Sequence, residues 1–352
     1  MLGRTGNQEA LERRKPLLLL FLLMLAGAVG LASCGGSADT DAAAREGAAL
    51  GGALQEGAPP DAPPQQRSGG AEGTVWVLER SGSSVTVIDG ETARILQRIR
   101  LDFRSSPSDL LYWGGSVWVA DMVGALHRID ASSRQLVESI PVEMNLHGLS
   151  AADHGIYGMD AESGIVTRHD PRTGAFLVEL ERTDRIHAMA AGPGVTAVLE
   201  SDWARMHLFA AGSTQSQTVP SELASGDMVF GFGSFWLYQI DGKLFRIDPA
   251  SGAVQAAIDT PEADNAFGIA MGREAVWVAS LEEEAVLKVD PASNRVVQRI
   301  QVDGAPEGVV ELGGALWVAL PQDDAVVRVD PATGAETARV RVDWPTRMVA
   351  VP

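Results

Sequence analysis

Seven short strand cores recur along this chain at a nearly constant interval. Six carry a central aromatic: Val75-Trp76-Val77, Val117-Trp118-Val119, Ile156-Tyr157-Gly158, Phe235-Trp236-Leu237, Val276-Trp277-Val278 and Leu316-Trp317-Val318. The seventh, Thr196-Ala197-Val198, is degenerate and fills the one gap in the series. Steps between the central residues are 42, 39, 40, 39, 41 and 40. A period of this length with strand-forming residues predicts propeller blades of four strands each.

Residues 73 to 352 divide by seven into 40 positions each, so one closed domain accounts for them. The clearest repeat runs from Ala305 to Val342, with four β-rich stretches separated by turn residues, which reads as an antiparallel meander. With 45% apolar residues and 38 glycines, the composition fits many short strands joined by tight turns. The expected fold is all-β: a seven-bladed β-propeller of four-stranded antiparallel blades. The domain opens on a second strand at Thr74, while the stretch Arg347 to Val351 matches an innermost strand without a follower. That C-terminal strand should therefore complete blade 1 and remove the open edges. The phrase Asp-Pro-x-Ser/Thr-Gly/Asn at Asp170, Asp248, Asp290 and Asp330, with looser copies at Asp89 and Asp130, reads as a turn. Its carboxylate accepts nearby backbone N–H groups, and its last residue takes the left-handed conformation. Blade 4 lacks both this phrase and the aromatic, and is expected to be the weakest blade.

The first 34 residues follow other rules. Arg13, Arg14 and Lys15 precede the apolar run Leu17 to Leu25, and small residues lead to Cys34. This is the pattern of a bacterial secretory leader over 1–33, and Leu31-Ala32-Ser33-Cys34 resembles the lipobox whose cysteine becomes the acylated first residue. Cys34 is the only cysteine, so no disulfide is expected. Residues 34–72 are rich in Ala, Gly, Pro and Gln and carry almost no large apolar side chain, so they cannot offset the entropy of ordering. As a flexible tether they reach on the order of 35 Å. The resulting expectation is a chain secreted across the cytoplasmic membrane and held in the cell envelope by lipid. Net charge is −18, and removing the leader's four cations and two anions leaves about −20. Nucleic acid is thereby excluded as a partner, and so is electrostatic docking on anionic lipid.

In a propeller, the starts of the innermost strands and the loops after the second strands share one face around the channel mouth. Aligned repeats place Arg347, Asp109, His147, His187, Asp227, Phe267 and Glu307 at the inner-strand starts of blades 1 to 7. His147, His187 and Asp227 form one arc that could hold a divalent metal or supply a general base, with the two histidines as catalytic candidates and Arg347 on an anionic group. The alternative is a wet mouth that tolerates polar groups, with Arg347 in a structural ion pair. Glu79, Asp121, Asp160, Glu200 and Gln239, interrupted by Ser280 and Leu320, follow the second strands and are expected to form a second, acidic ring over blades 1 to 4. Such a mouth would favour a small cationic ligand, a metal or a basic loop of an envelope protein. Asp160 and Glu200 are the acids placed to complete a metal shell. His127, His169 and His207 fall on third strands and are expected away from the mouth, and His154 in a solvated turn. Common zinc, thiol, serine-elbow and phosphate-loop motifs are absent, and Gly231-Phe232-Gly233 reads as a turn.

The repeated apolar-Trp-Val-Ala, Val-x-Arg-Val/Ile-Asp-Pro-x-Thr-Gly and Pro-x-Gly-Val phrases over residues 73 to 352 resemble the YVTN and streptogramin-lyase group of seven-bladed propellers. The resemblance implies an extracytoplasmic binding scaffold that needs no cofactor. For the virginiamycin B lyase branch it implies lactone opening by a histidine and magnesium, both placed late in the chain. Here no histidine follows His207, so that catalytic position has no counterpart. Three functions compete: a lipid-anchored binding module working through an acidic mouth, a metal-dependent lyase or hydrolase using the His-His-Asp arc, and a purely structural scaffold.

Overall fold

A computed structural model describes residues 73–352, apart from 82, 103, 181, 201–204, 224, 240 and 261–267. The leader, Cys34 and the tether to residue 72 lie outside the described residues, as does Phe267. The second strands show why the sequence takes this form. Ser116–Asp121, Ser234–Gln239 and Ala315–Leu320 are buried at every position, because both faces of such a strand meet a neighbouring blade. Hence they read as continuous apolar runs rather than alternating ones. The outer strands, such as Ile95–Arg100 and Gln135–Pro141, are mostly exposed.

Seven four-stranded antiparallel sheets result, as the repeat requires. Six follow the chain in order. In the seventh, the inner strand is Pro345–Val351, paired with Thr74–Glu79 so that Val351 faces Thr74 and Val349 faces Trp76. The expected closure of blade 1 by the chain's last strand is thus in place.

Between the blades lie seven apolar clusters, each drawing on two consecutive blades. Each aromatic core packs forward: Trp76 against Leu110 and Val117, Trp118 against Ile156, Tyr157 against Val198, and Trp317 against Val75 and Val77. At the blade 4 seam, where Ala197 replaces the aromatic, Phe230 and Phe235 of blade 5 fill the space. Their rings meet edge to face at 5.1 Å. Gly192 makes room for them, since a Cβ there would sit 2.5 Å from the Phe230 ring.

The recurrent arginine of the third strand sits across from the tryptophan. Arg128 lies over Trp118 at 5.6 Å, Arg246 over Trp236 at 5.3 Å and Lys288 over Trp277 at 5.5 Å, in cation–π contact. Arg246 then donates to the carbonyl of Pro291, tying blade 5 to blade 6. The aspartate turns form as expected. Asp248 Oδ1 accepts the N–H groups of Ala250 and Ser251 and the Ser251 hydroxyl, and Gly252 follows at φ +71°. The looser copies place Ala93 and Arg134 in the left-handed region at φ +56° and +58°, where a side chain is strained.

Candidate functional site

Asp109, His147, His187, Asp227, Glu307 and Arg347 all fall at or beside the start of an inner strand. Three of these starts are bulged. His187 is an extra residue between the pairs Ile186–Glu200 and Ala188–Leu199, Ser108 is extra before Asp109, and the pairing beside Thr346 and Arg347 shifts as well. Such bulges re-aim a side chain at the rim of a sheet. Periodicity alone could not reveal them, because one extra residue is absorbed within the spread of the repeat.

The bulge on blade 1 presents Arg347 to two aspartates. Its NH1 group donates to Asp227 Oδ2 at 2.5 Å, and its Nε lies 3.7 Å from Asp109 Oδ1. Asp227 belongs to blade 5 and Asp109 to blade 2, so the guanidinium spans the ring between opposite sides of the channel. The three side chains are 25%, 17% and 16% exposed. Asp109 is further held by the N–H of Leu149, on blade 3, at 2.9 Å and by its own neighbour Leu110. Burial raises the Asp109 carboxyl above the ordinary range, with Arg347 pulling the other way. For Arg347, burial opposes the charge, but Asp227 and Asp109 outweigh it and hold the guanidinium more firmly protonated than usual.

Around this brace, His147 is partly exposed and His187 exposed. Nδ1 of His147 accepts the Ala161 N–H at 3.2 Å and lies 3.6 Å from Asp160 Oδ1. That bond assigns the ring proton to Nε2. Among the described residues, no group of three His, Cys, Asp or Glu side chains is placed to hold a metal ion. The His147, His187 and Asp227 arc does not converge as a ligand set: His147 Nδ1 is taken by a backbone N–H and Asp227 by Arg347.

The acids after the second strands occupy a different setting from the one expected. Glu79, Asp121, Asp160 and Glu200 are at most 6% exposed, and each is satisfied largely within its own blade. Asp121 accepts the N–H groups of Ser106 and Val123 at 2.9 and 3.0 Å and meets His127 Nε2 at 3.0 Å. His127 Nδ1 in turn meets Ser139 Oγ on the outer strand at 2.8 Å. Burial would raise the Asp121 carboxyl, but bonds from His127, Val123 and Ser106 bring it down to about 2. Glu200 accepts Asp184 N–H and Arg205 Nε at 2.8 and 2.7 Å, with His207 3.6 Å away. Glu79 takes the hydroxyls of Ser84 and Thr86, and Asp160 the N–H groups of Glu162 and Ser163. In blades 1, 2 and 4 these bonds join the second strand to the third, whereas Asp160 is held by backbone N–H groups of its turns. A signal was present in the sequence: within four repeats an acid is followed six or seven positions later by Thr86, His127, Thr167 or His207, a polar residue in an apolar strand. His127, His169 and His207 are buried on third strands, and His154 is exposed in its turn.

The acidity of the mouth face lies elsewhere. Its turns in blades 5 to 7 carry exposed Asp241, Glu282, Glu284, Asp303, Asp323 and Asp343. No lysine or arginine occurs in 221–225, 240–242, 281–284, 302–307, 321–324 or 342–344. The turns of blades 1 to 4 are mixed in sign, with Arg80, Arg104, Arg182 and Arg185 beside exposed Asp102, Glu143, Glu162 and Asp184.

No protein-family model matches this chain, and no curated protein matches it in sequence. Solved structures do match. Apo AztD from Citrobacter koseri superposes with a TM-score of 0.62 at 12% identity, covering 79% of this chain and 98% of that one. Dihydro-heme d1 dehydrogenase NirN in complex with DHE gives 0.57 at 14% identity, over 81% and 76%. The computationally designed Ika8 protein gives 0.59 at 13%, over 79% and 91%. Likeness at such identities shows the propeller fold alone.

Proposed function

We propose that the protein is a lipid-anchored, extracytoplasmic binding propeller of the YVTN and streptogramin-lyase kind, which engages a cationic ligand or a basic segment of an envelope protein at the channel mouth. The supporting observation is the charge of that face. At the inner ring three carboxylates, Asp109, Asp227 and Glu307, stand against one guanidinium, which is itself clamped by two of them. The acidic turns of blades 5 to 7 extend the same sign outward, so a cation approaches down a favourable potential. The resemblance in repeat phrases supports the family reading, and the lipobox pattern ending at Cys34 supports the anchor.

A divalent metal does not fit the side chains present at the mouth, since no three of the described ligand-type residues come together there. The lyase reading is therefore not carried further. A fluorescent octalysine peptide titrated into the protein tests the binding reading. Binding should weaken as salt rises, and should be lost when Asp241, Asp323 and Asp343 are each changed to lysine. Binding that survives the triple change would refute it.

A further inference from the structure

Exposed large apolar side chains are scattered singly or in pairs over the ring, Met122, Val123 and Trp344 on mouth-side turns among them, but they gather most densely in one sector. Ile95 and Leu96 are 39% and 41% exposed, Leu136 and Val137 37% and 53%, and Phe176 and Leu177 61% and 48%. All six stand at the beginnings of the outer strands of blades 1, 2 and 3, at the end of the ring away from the mouth. The same places hold Ser216 and Gln217 in blade 4, and Glu336 and Thr337 in blade 7. Blades 5 and 6 contribute only Val254 and Val297. Three adjacent blades thus share an apolar rim that the repeat does not demand, since other blades fold with polar residues there.

The point where the described chain begins lies at that same end. The carbonyl of Gly73 accepts the N–H of Gly90 at 2.9 Å, in the turn that leads directly into Ile95 and Leu96. Residues 1–72 therefore join the ring beside the apolar sector. On the lipid-anchor reading given above, on which this inference rests, the segment that carries Cys34 enters the ring on this side.

We infer that Ile95, Leu96, Leu136, Val137, Phe176 and Leu177 form a lipid-docking rim, on which the propeller rests with its mouth directed away from the membrane. Attraction by charge is not needed. With a net charge of about −20 once the leader is removed, the contact should form on neutral lipid and be weakened, not strengthened, by anionic lipid.

The test uses the full acylated chain in phosphatidylcholine vesicles containing nitroxide-labelled lipid. Acylation blocks Cys34, the only cysteine, so one introduced cysteine takes a fluorophore uniquely. Fluorescence from Val137→Cys and Leu177→Cys should be quenched by the lipid nitroxides, while that from Val254→Cys and Asp241→Cys should not. Serine at Leu136, Val137 and Phe176 should abolish quenching of the label at 177 and leave the protein floating with the vesicles. Equal quenching at all four sites, or quenching unaffected by the serine changes, overturns the rim. A label at 177 that is shielded without lipid, in a protein that sediments as a dimer, assigns the sector to a second copy and also overturns it. A chain that is not acylated and stays in solution overturns the anchor reading and the rim together, so the two failures are distinguishable.

Discussion

Replacing Arg347 with methionine isolates the brace across the channel, because methionine keeps much of the side chain's length while removing its charge. A fully exposed ion pair contributes about 0–1 kcal/mol, whereas stripping one partner from a buried pair costs about 3–5 kcal/mol. Arg347, Asp109 and Asp227 are 25%, 16% and 17% exposed, between these limits but nearer the buried one. A loss of roughly 2 kcal/mol follows. Spread over a domain of this size, with an unfolding entropy of about 2.1 cal/mol/K per residue, that lowers Tm by roughly 3 °C at pH 7. The dependence on pH is more diagnostic than the size. Burial already raises the Asp109 carboxyl, and removing the guanidinium raises it further. A carboxyl raised on folding contributes stability that is present below its unfolded value and lost as pH rises through its folded value. The deficit of the variant should therefore be largest near neutrality and shrink as pH falls toward the ordinary carboxylate value of 3.8. Thermal melts by circular dichroism from pH 4 to pH 8, with Asp227→Asn and the double variant completing a cycle, give both numbers. An unchanged Tm at pH 7, or a deficit that grows toward acid, would refute the reasoning.

Removing residues 345 to 352 takes the inner strand from blade 1 and uncovers Trp76 and its neighbours, so the shortened chain should show no cooperative melt and should be rapidly cleaved by protease. His127→Ala removes the histidine partner of Asp121 in a fully buried place, leaving Ser105 and the backbone donors, at a cost of about 1–3 kcal/mol, measurable by urea unfolding. Asp121 is depressed to about 2, so its contribution is present above the unfolded value near 3.8 and lost as pH falls toward 2. The variant should accordingly lose less stability than the wild type across that window, and an identical acid profile would argue that His127 does not depress Asp121.

The ring was legible because its causes are local and repeated. A strand covered on both faces must be apolar throughout, and the cores around Trp118 and Trp317 announce that directly. The aspartate turns are likewise written in neighbouring residues, down to the left-handed Gly252 and Gly334. Side-chain direction at strand ends was less accessible. Asp121 and Glu200 lie at the right height for a mouth, but each carboxylate is taken up by backbone N–H donors and lies beside a third-strand histidine. The partnership of Arg347 with Asp227 joins residues on opposite sides of a closed ring, and no spacing within one repeat encodes it. Blade 4 teaches the same point about packing. Ala197 reads as a defect until Phe230 and Phe235, one blade later, are seen to fill the space it leaves.

The pairing of Thr74–Glu79 with Pro345–Val351 also sets an order of events during biosynthesis. A chain made from its N-terminus produces the first three strands of blade 1 early, yet their inner edge stays open until the final strand has emerged. Six blades can assemble while the first waits. A chain cut before Pro345 would leave Trp76 and an unpaired strand edge for proteases and chaperones to find, so loss of this one strand exposes the seam between the first and last blades.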